Sequence, residues 1–137
     1  MNYYLDTSVV LRILLSRDGL WRGWGRWETV YTSALLRVEC SRAIDRLRLT
    51  HDWDDHTVAR VGDELRRLQR FFTKVALSPA VLNRAALPMP TILKSLDAIH
   101  IATASLIRER LHPDLVFVTH DDQQARAARA LGFECVG

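Results

Sequence analysis

The change from a strand pattern to a helix pattern at Asp6 constrains this chain more than any other feature of its sequence. Residues 3–5 (Tyr-Tyr-Leu) favour a short strand, and Thr7 and Ser8 open an apolar segment whose spacing predicts a helix over residues 8–15. Asp6 therefore lies at the carboxyl end of the predicted strand. In an open α/β sheet, this edge is where ligands bind. A carboxylate at such a position either caps the helix or holds a cation.

Strand and helix patterns continue to alternate along the rest of the chain. Further strands are predicted over residues 28–32, 72–77, 115–119 and 133–136. Helices are predicted between them, over residues 34–49, 56–70, 95–107 and 123–131, with another beginning at Ser78-Pro79. This order predicts an α/β fold, a three-layer α/β/α arrangement around a parallel sheet of four to five strands. Right-handed crossovers bring the carboxyl ends of such strands to one edge of the sheet.

Length and composition limit the class of protein. With 137 residues, 48% of them hydrophobic, the chain suits one globular domain over residues 1–137. The first apolar segment contains Asp6 and Arg12 and follows no basic leader, and no other run reaches spanning length, so we expect a cytoplasmic protein without a membrane segment. Cys40 and Cys135 are too few and too far apart for a zinc knuckle or a disulfide framework. We expect both to be small buried apolar residues.

Two helical carboxylates are candidates to lie near Asp6. Glu39 stands at the edge of the apolar stripe of the second predicted helix, although as a solvated residue it would pair with Arg42 or Arg46. Asp97 lies in the first turn of the most apolar helix, where the helix N-terminus alone would stabilise a carboxylate. Each residue therefore has a structural alternative to a role beside Asp6.

A fourth carboxylate follows the strand predicted over residues 115–119. This strand leads into the pair Asp121-Asp122, and Asp122 is predicted to cap the helix that comes next. Asp121 is then left at the strand's carboxyl end with no structural task.

Four carboxylates that converge need a counter-charge. Within a few ångströms of one another they would repel strongly, and each would raise the pKa of its neighbours, unless a divalent cation neutralised them. Oxygen ligands without paired Cys or His side chains select a hard ion, Mg²⁺ or Mn²⁺, over Zn²⁺. The sequence therefore predicts a metal site formed by Asp6, Glu39, Asp97 and Asp121.

The remaining charge is basic. With those four carboxylates set aside, 19 basic residues face 12 acidic ones, a net charge of +7 in place of +3. Such a surface can attract a polyanion through its phosphates. The third predicted helix has a basic side, for which a solvated face is the first interpretation and RNA contact the second; its residues are Arg60, Arg66, Arg67 and Arg70.

His100 lies three residues after Asp97 and shares its helical face. The main interpretation is a buried histidine with satisfied hydrogen bonds. Support of a metal-binding carboxylate, or contact with RNA, is the alternative.

A tryptophan-rich segment follows the first predicted helix. Trp21, Trp24 and Trp27 recur every three residues, which predicts one side of a short helix weakened by Gly23 and Gly25. Three interpretations stay open. The segment is a satellite cluster packed on the sheet, an aromatic face for a protein partner or homodimer, or a strip on which bases stack.

The acidic positions and their neighbours resemble the four motifs of PIN-domain ribonucleases. These motifs lie at residues 5–8, at Glu39, at residues 96–104 and at residues 118–121, the last followed by residues 127–133. In length and order, the chain resembles the VapC toxins of type II toxin–antitoxin modules. The resemblance spans essentially the whole chain, and four such motifs in order are more specific than any one of them.

The resemblance implies an endoribonuclease that hydrolyses RNA phosphodiester bonds with a metal-activated water. It also implies dependence on Mg²⁺ or Mn²⁺, inhibition by a cognate antitoxin protein, and a homodimer. Asp6 and Asp97 would be the closest metal ligands, and Glu39 and Asp121 would complete the acidic pocket directly or through waters. The Thr-x-Asp spacing favours Asp121 over Asp122 as the fourth acid.

The resemblance also implies roles for hydroxyl groups. Thr7, Ser8 and Thr119 would orient the carboxylates or their waters.

One alternative function is a catalytically inactive PIN-like module that binds RNA or protein. Phosphoryl transfer to Asp6 is disfavoured, because an aspartate-dependent phosphatase needs a second aspartate where Ser8 stands.

Overall fold

The structure, a computed structural model, describes residues 1–16 and 20–137. Its centre is a five-stranded sheet of β1 (Asn2–Leu5), β2 (Thr29–Ser33), β3 (Thr73–Val75), β4 (Val116–Val118) and β5 (Glu134–Val136). The strand order is β3-β2-β1-β4-β5, and each neighbouring pair is parallel. The predicted parallel sheet is confirmed, with β1 at its centre.

Helices connect the strands at close to the predicted positions. They are α1 (Thr7–Ser16), α2 (Leu35–Thr50), α3 (Asp55–Gln69), α4 (Pro79–Ala85), α5 (Ser95–Arg110) and α6 (Asp122–Ala130). Asp54 and Ser78 cap α3 and α4, because their side chains accept from the backbone N–H groups of Thr57 and Val81. None of the described helices is both long and apolar enough to cross a bilayer.

Side chains of the central strands alternate between the two faces of the sheet and build two apolar clusters. Tyr3 and Leu5 pack with α1, α2 and α3, whereas Tyr4 packs with α5 and α6. Phe117 of β4 lies on the same face as Tyr4, and the two rings stack with 5.4 Å between their centroids. Helices therefore cover both faces, which confirms the three-layer α/β/α arrangement.

Two predictions about single residues are wrong. Asp121, not Asp122, caps α6, because its extended backbone precedes the helix and its side chain accepts from the N–H of Gln124 at 2.9 Å. Asp121 therefore has a structural role as a helix cap, whereas the sequence predicted none for it. Cys40 is buried as expected, but Cys135 is only partly buried because β5 is an edge strand; neither forms a disulfide within the described residues.

The tryptophan-rich segment is not a helix. Residues 22–25 form turns, and Gly25 has a φ of +75°, a backbone conformation incompatible with a continuing right-handed helix. The three tryptophan rings nevertheless contact one another, with centroids 5.2 to 6.1 Å apart, and Trp21 also meets Tyr3 edge to face. This cluster packs against the core of the α1 face. The structure therefore agrees with a satellite cluster. Residues 17–19, which precede it, lie outside the described part of the chain.

Gly23→Ala is expected to lower the free energy of unfolding by about 1–3 kcal/mol. A Cβ at this position would overlap the Tyr3 hydroxyl and Trp21 Nε1, both of which are held in the aromatic cluster. Gly62→Ala in α3 is the matched control, since its Cβ would meet nothing closer than Arg66 Nη1 at 3.7 Å. Alanine should stabilise that helix by about 0.5–1 kcal/mol. The urea concentration at the midpoint of unfolding should fall for Gly23→Ala and rise for Gly62→Ala. Shifts of the same sign would contradict the packing described for Gly23.

Candidate functional site

A cavity of about 370 Å³ opens at the carboxyl edge of the sheet, and all four predicted carboxylates line it. Asp6 directly follows β1, and Asp121 follows β4. Glu39 lies in α2, which covers one face of the sheet, and Asp97 lies in the first turn of α5 on the other face. β1 lies between β2 and β4, so Asp6 lies near the middle of this edge of the sheet. Side chains from the helices on both faces reach the cavity around it.

Asp6 is buried, with 5% of its surface exposed, and its orientation is fixed by hydroxyl groups. The Asp6 Oδ2 atom accepts from Ser8 Oγ at 2.6 Å, from Ser8 N at 3.2 Å and from Thr119 Oγ1 at 3.1 Å. Its other oxygen, Oδ1, lies 3.7 Å from His100 Nε2. Hydrogen-bond donors of this kind compensate a buried carboxylate for the water that it loses.

Gln124 is a further neighbour of Asp6 that sequence reasoning missed. Its side chain is wholly buried, and in the amide orientation that suits the surrounding donors and acceptors, Nε2 donates to Asp6 Oδ2 at 2.9 Å and to Thr119 Oγ1 at 3.0 Å. The sequence does contain a pattern that could have predicted its burial. Gln124 comes first in a series with the spacing of a buried helical face, followed by Ala127, Ala128 and Leu131.

Glu39 is held by a buried histidine rather than by an arginine. Glu39 Oε1 accepts from Thr7 Oγ1 at 2.9 Å and lies 2.7 Å from His100 Nε2. Because a carboxylate only accepts hydrogen bonds, His100 Nε2 carries a proton toward Glu39. Among the described residues, neither of the two expected alternative partners, Arg42 and Arg46, forms an ion pair with Glu39; Arg42 pairs with Asp45 instead.

His100 is fully buried, and both of its ring nitrogens have partners. Nδ1 lies 2.8 Å from the hydroxyl of Tyr4, which comes from the neighbouring strand β1. Burial, together with the charge of Asp6, raises the pKa of Tyr4 well above its usual value and keeps the phenol protonated. The phenol can donate to a neutral imidazole and accept from an imidazolium. Tyr4, His100 and Glu39 thus form one hydrogen-bonded chain, in which the histidine is both buried and in contact with a site carboxylate.

Burial and the neighbouring carboxylates both act on Asp97. Partial burial, then the charges of Asp6 and Asp121, raise the pKa of its carboxyl group. At His100, burial opposes protonation, but the hydrogen bond to Glu39 and the charges of Asp6, Glu39 and Asp97 outweigh it and raise the pKa. Burial first, and then the charges of Glu39 and Asp6, raise the pKa of the Cys40 thiol to about 12, so this thiol is not a nucleophile at neutral pH.

The four carboxylates are the kind of ligand that a hard divalent cation prefers, but they are not arranged as a complete coordination shell. The four carboxylates around the cavity supply only oxygen atoms, the ligands that Mg²⁺ and Mn²⁺ prefer. Within residues 1–16 and 20–137, however, no group of three or more His, Cys, Asp or Glu side chains is arranged to hold a metal ion. One oxygen of Glu39, Oε1, already makes hydrogen bonds with Thr7 and His100. Water molecules would have to bridge some of the carboxylates to a single ion.

Comparison with known proteins identifies the family. The family model of the PIN domain matches residues 3–130 of the chain, which include all four carboxylates of the cavity. The chain belongs to the PIN-domain family. This PIN domain is 32% identical to ribonuclease VapC47 of Mycobacterium tuberculosis, an alignment that covers 95% of the chain and 92% of VapC47. It is 36% identical to ribonuclease VapC35 of the same species, with 97% and 94% covered. These similarities make it a VapC-type PIN domain.

Solved structures agree on the fold of this PIN domain. The crystal structure of PAE2754 from Pyrobaculum aerophilum superposes with a TM-score of 0.62 at 16% identity, over 99% of this chain and 83% of the other. That of VapBC2 from Rickettsia felis, bound to a DNA fragment from their promoter, gives a TM-score of 0.60 at 11% identity, over 100% and 98%. At such low identities, the likeness establishes the fold alone.

Proposed function

We propose that this PIN domain is an endoribonuclease that depends on a divalent metal ion and forms the toxin component, VapC, of a type II toxin–antitoxin module. One observation carries the proposal: four carboxylates distant in sequence line a single cavity at the carboxyl edge of the sheet. The ribonuclease names of the M. tuberculosis relatives support the same activity. Residues 1–137 act as one PIN domain in this proposal.

The cation we propose is Mg²⁺ or Mn²⁺. Asp6 and Asp97 would hold it most closely, and Glu39 and Asp121 would hold it directly or through waters. When bound, such an ion supplies an activated water for in-line attack on the RNA phosphate and positive charge for the departing oxygen.

The protein's own contribution is to hold these carboxylates in place before a ligand arrives. Ser8 and Thr119 fix Asp6 through one oxygen, and Thr7 and His100 fix Glu39 in the same way. Prearranged ligands lose less freedom when an ion and a substrate bind, which is why residues supporting a metal ligand typically affect metal affinity or activity 10- to 100-fold.

The partners we propose are RNA as substrate, a cognate antitoxin protein and a second copy of the chain in a homodimer. The similarity to VapC proteins and the fold likeness to VapBC2 support an antitoxin. The cytoplasmic location expected from the sequence belongs to the same proposal.

A cleavage assay tests the activity. Purified protein should cut a structured RNA in the presence of Mg²⁺ or Mn²⁺, stop when EDTA is added and recover when the metal is restored. Hydrolysis by an activated water should leave 5′-phosphate ends, which ligation-based end mapping detects. Cleavage that persists in EDTA would refute the metal-dependent mechanism.

The second candidate is a catalytically inactive PIN-like module that binds RNA or protein. The lack of a preformed three-ligand cluster among the described residues favours it. An inactive module has no need to bind a divalent ion, so metal binding separates the two functions.

Asp97→Asn should raise the melting temperature of the metal-free protein and cancel the gain produced by Mn²⁺. Burial and the charges of Asp6 and Asp121 disfavour the Asp97 carboxylate, so loss of its charge should stabilise the protein by about 0.5–1 kcal/mol after solvent screening. Mn²⁺ should stabilise the original protein by mass action, by about 2.7 kcal/mol at 100 times the dissociation constant. Differential scanning fluorimetry with and without Mn²⁺ measures both effects. An equal Mn²⁺ gain in the variant would remove Asp97 from the site.

A further inference from the structure

A second concavity lies on another side of α2 from the carboxylate cavity. It is a groove of about 630 Å³ between α2 and α3, bounded at one end by Lys74 of β3. Arg37, Ser41 and Asp45, spaced four residues apart, face this groove, whereas Glu39 faces the carboxylate cavity. The two concavities therefore share α2 as a common wall, and we call the second one the α2–α3 groove.

The α2–α3 groove carries uncompensated positive charge. Arg37, Arg70 and Lys74 line it, and none of the three forms an ion pair with any carboxylate in the described part of the chain. Asp45 also lines the groove, but Arg42 and Arg48 already pair with it. Cations that lack a partner in a concave surface attract a polyanion more strongly than paired surface charges do.

Apolar side chains also line the groove. Ile44 comes from α2, and Val58 and Leu65 come from α3. A surface of this composition suits a chain that carries phosphates on one side and flat bases on the other. Positive charge also continues across α2, because Arg46 lines the carboxylate cavity on the same helix and forms no ion pair in the described part of the chain; Arg42 lines the cavity too, but it is paired with Asp45.

We propose that the α2–α3 groove binds the backbone phosphates of single-stranded RNA on one side of the bond to be cut. The RNA would cross α2 past Arg42 and Arg46, with one part in the carboxylate cavity and the next part in the groove. This inference rests on the proposed ribonuclease activity and adds where the substrate lies. An acidic protein segment is the competing occupant; the basic residues that link the groove to the carboxylate cavity favour RNA.

The test compares two triple variants that lose the same charge. The groove variant combines Arg37→Gln, Arg70→Gln and Lys74→Gln. The control variant combines Arg26→Gln, Arg110→Gln and Arg129→Gln, three side chains outside both the groove and the carboxylate cavity. Circular dichroism and melting temperature should show that both variants fold.

The first readout is RNA affinity in EDTA, measured by filter binding against salt concentration with an RNA of about a dozen nucleotides. Each phosphate contact with single-stranded RNA contributes about 0.7 to the slope of log K against log salt, so the groove variant should show a slope shallower by about 2. The control variant should keep a slope close to that of the original protein.

The second readout is steady-state cleavage with RNAs of two lengths. The groove variant should raise the KM for the longer RNA about tenfold or more and leave kcat unchanged. A dinucleotide, which contains only the bond to be cut, should be cut equally well by all three proteins. A structural defect in the groove variant would instead lower cleavage of both RNAs.

Several results would overturn the inference. Equal losses in the groove and control variants would indicate general electrostatic attraction. Unchanged RNA binding, with lost binding to the protein encoded by the neighbouring gene, would make the groove a protein interface. In either case, cleavage by the original protein would leave the proposed function standing, whereas a protein that neither binds nor cuts RNA would refute that function itself.

Discussion

Asp6→Asn should reduce the rate of RNA cleavage by more than about 100-fold, because we propose Asp6 as a metal ligand, and substitution of residues that merely support such a ligand already costs 10- to 100-fold. Asp6 is the most buried carboxylate of the cavity and the one that its neighbours orient most completely. An asparagine keeps the shape of the side chain and removes one charge from a repulsive cluster, so the variant should fold. The measurement is the initial rate of cleavage of a synthetic RNA at saturating Mg²⁺.

Asp122→Asn is the matched control for this experiment. Asp122 is exposed, lies in the first turn of α6 and does not line the carboxylate cavity, although it is adjacent in sequence to Asp121. It should cleave at the original rate, whereas Asp121→Asn should lose activity. Undiminished cleavage by Asp6→Asn, with a contaminating nuclease excluded, would contradict the site. Loss of activity in Asp122→Asn, with activity kept in Asp121→Asn, would indicate that Asp122 and not Asp121 is the fourth carboxylate of the site.

His100→Leu should cause the largest loss of stability among the variants discussed, about 2–4 kcal/mol. Leucine preserves much of the apolar packing in this buried position but offers no hydrogen bond to Tyr4 or Glu39. Each partner would keep a polar group at or near the core without its present hydrogen bond. Urea unfolding monitored by tryptophan fluorescence gives the loss, and a His100→Leu, Glu39→Leu double variant should recover part of it.

His112→Leu provides the comparison for that measurement. His112 Nε2 lies 2.9 Å from the Tyr31 hydroxyl, so this histidine also pairs with a tyrosine. His112 is only partly buried, and no salt bridge joins it to a carboxylate of the described residues. Its loss should cost about 1 kcal/mol or less. Equal losses at the two histidines would contradict the role given to the contact between His100 and Glu39.

The contribution of His100 should also depend on pH. Because its pKa is raised on folding, the stability that it confers is fully present below its unfolded pKa, about 6.5, and is lost as the pH rises through the folded value. The difference in unfolding free energy between the original protein and His100→Leu should therefore shrink above neutral pH. A difference that grows with pH would have the wrong sign.

The sequence predicted the convergence of the four carboxylates because that convergence follows from topology. A strand pattern that ends at Asp6, and another that ends before Asp121, must meet at one edge of a parallel sheet. Glu39 and Asp97 reach the same edge because they lie in helices that cover it. Local patterning was therefore enough to place the cavity.

Features that depend on contacts distant in sequence were not predictable in this way. His100 was expected to be buried, but its partners Tyr4 and Glu39 lie 96 and 61 residues away, on a strand and on a helix of the opposite layer. The choice of Asp121 over Asp122 as the cap depends on which residue keeps an extended backbone, and either acid suits that position. The spacing of Trp21, Trp24 and Trp27 suits a helix, and the turns around Gly23 and Gly25 replace it.

Crystals grown with Mn²⁺ and measured at a wavelength where manganese scatters anomalously would show whether the four carboxylates bind a metal ion together. We expect an anomalous difference peak inside the carboxylate cavity, closest to Asp6 and Asp97, with Glu39 and Asp121 bound to the ion directly or through waters. A cavity without a peak at saturating Mn²⁺, or a peak bound only outside these four residues, would contradict this expectation.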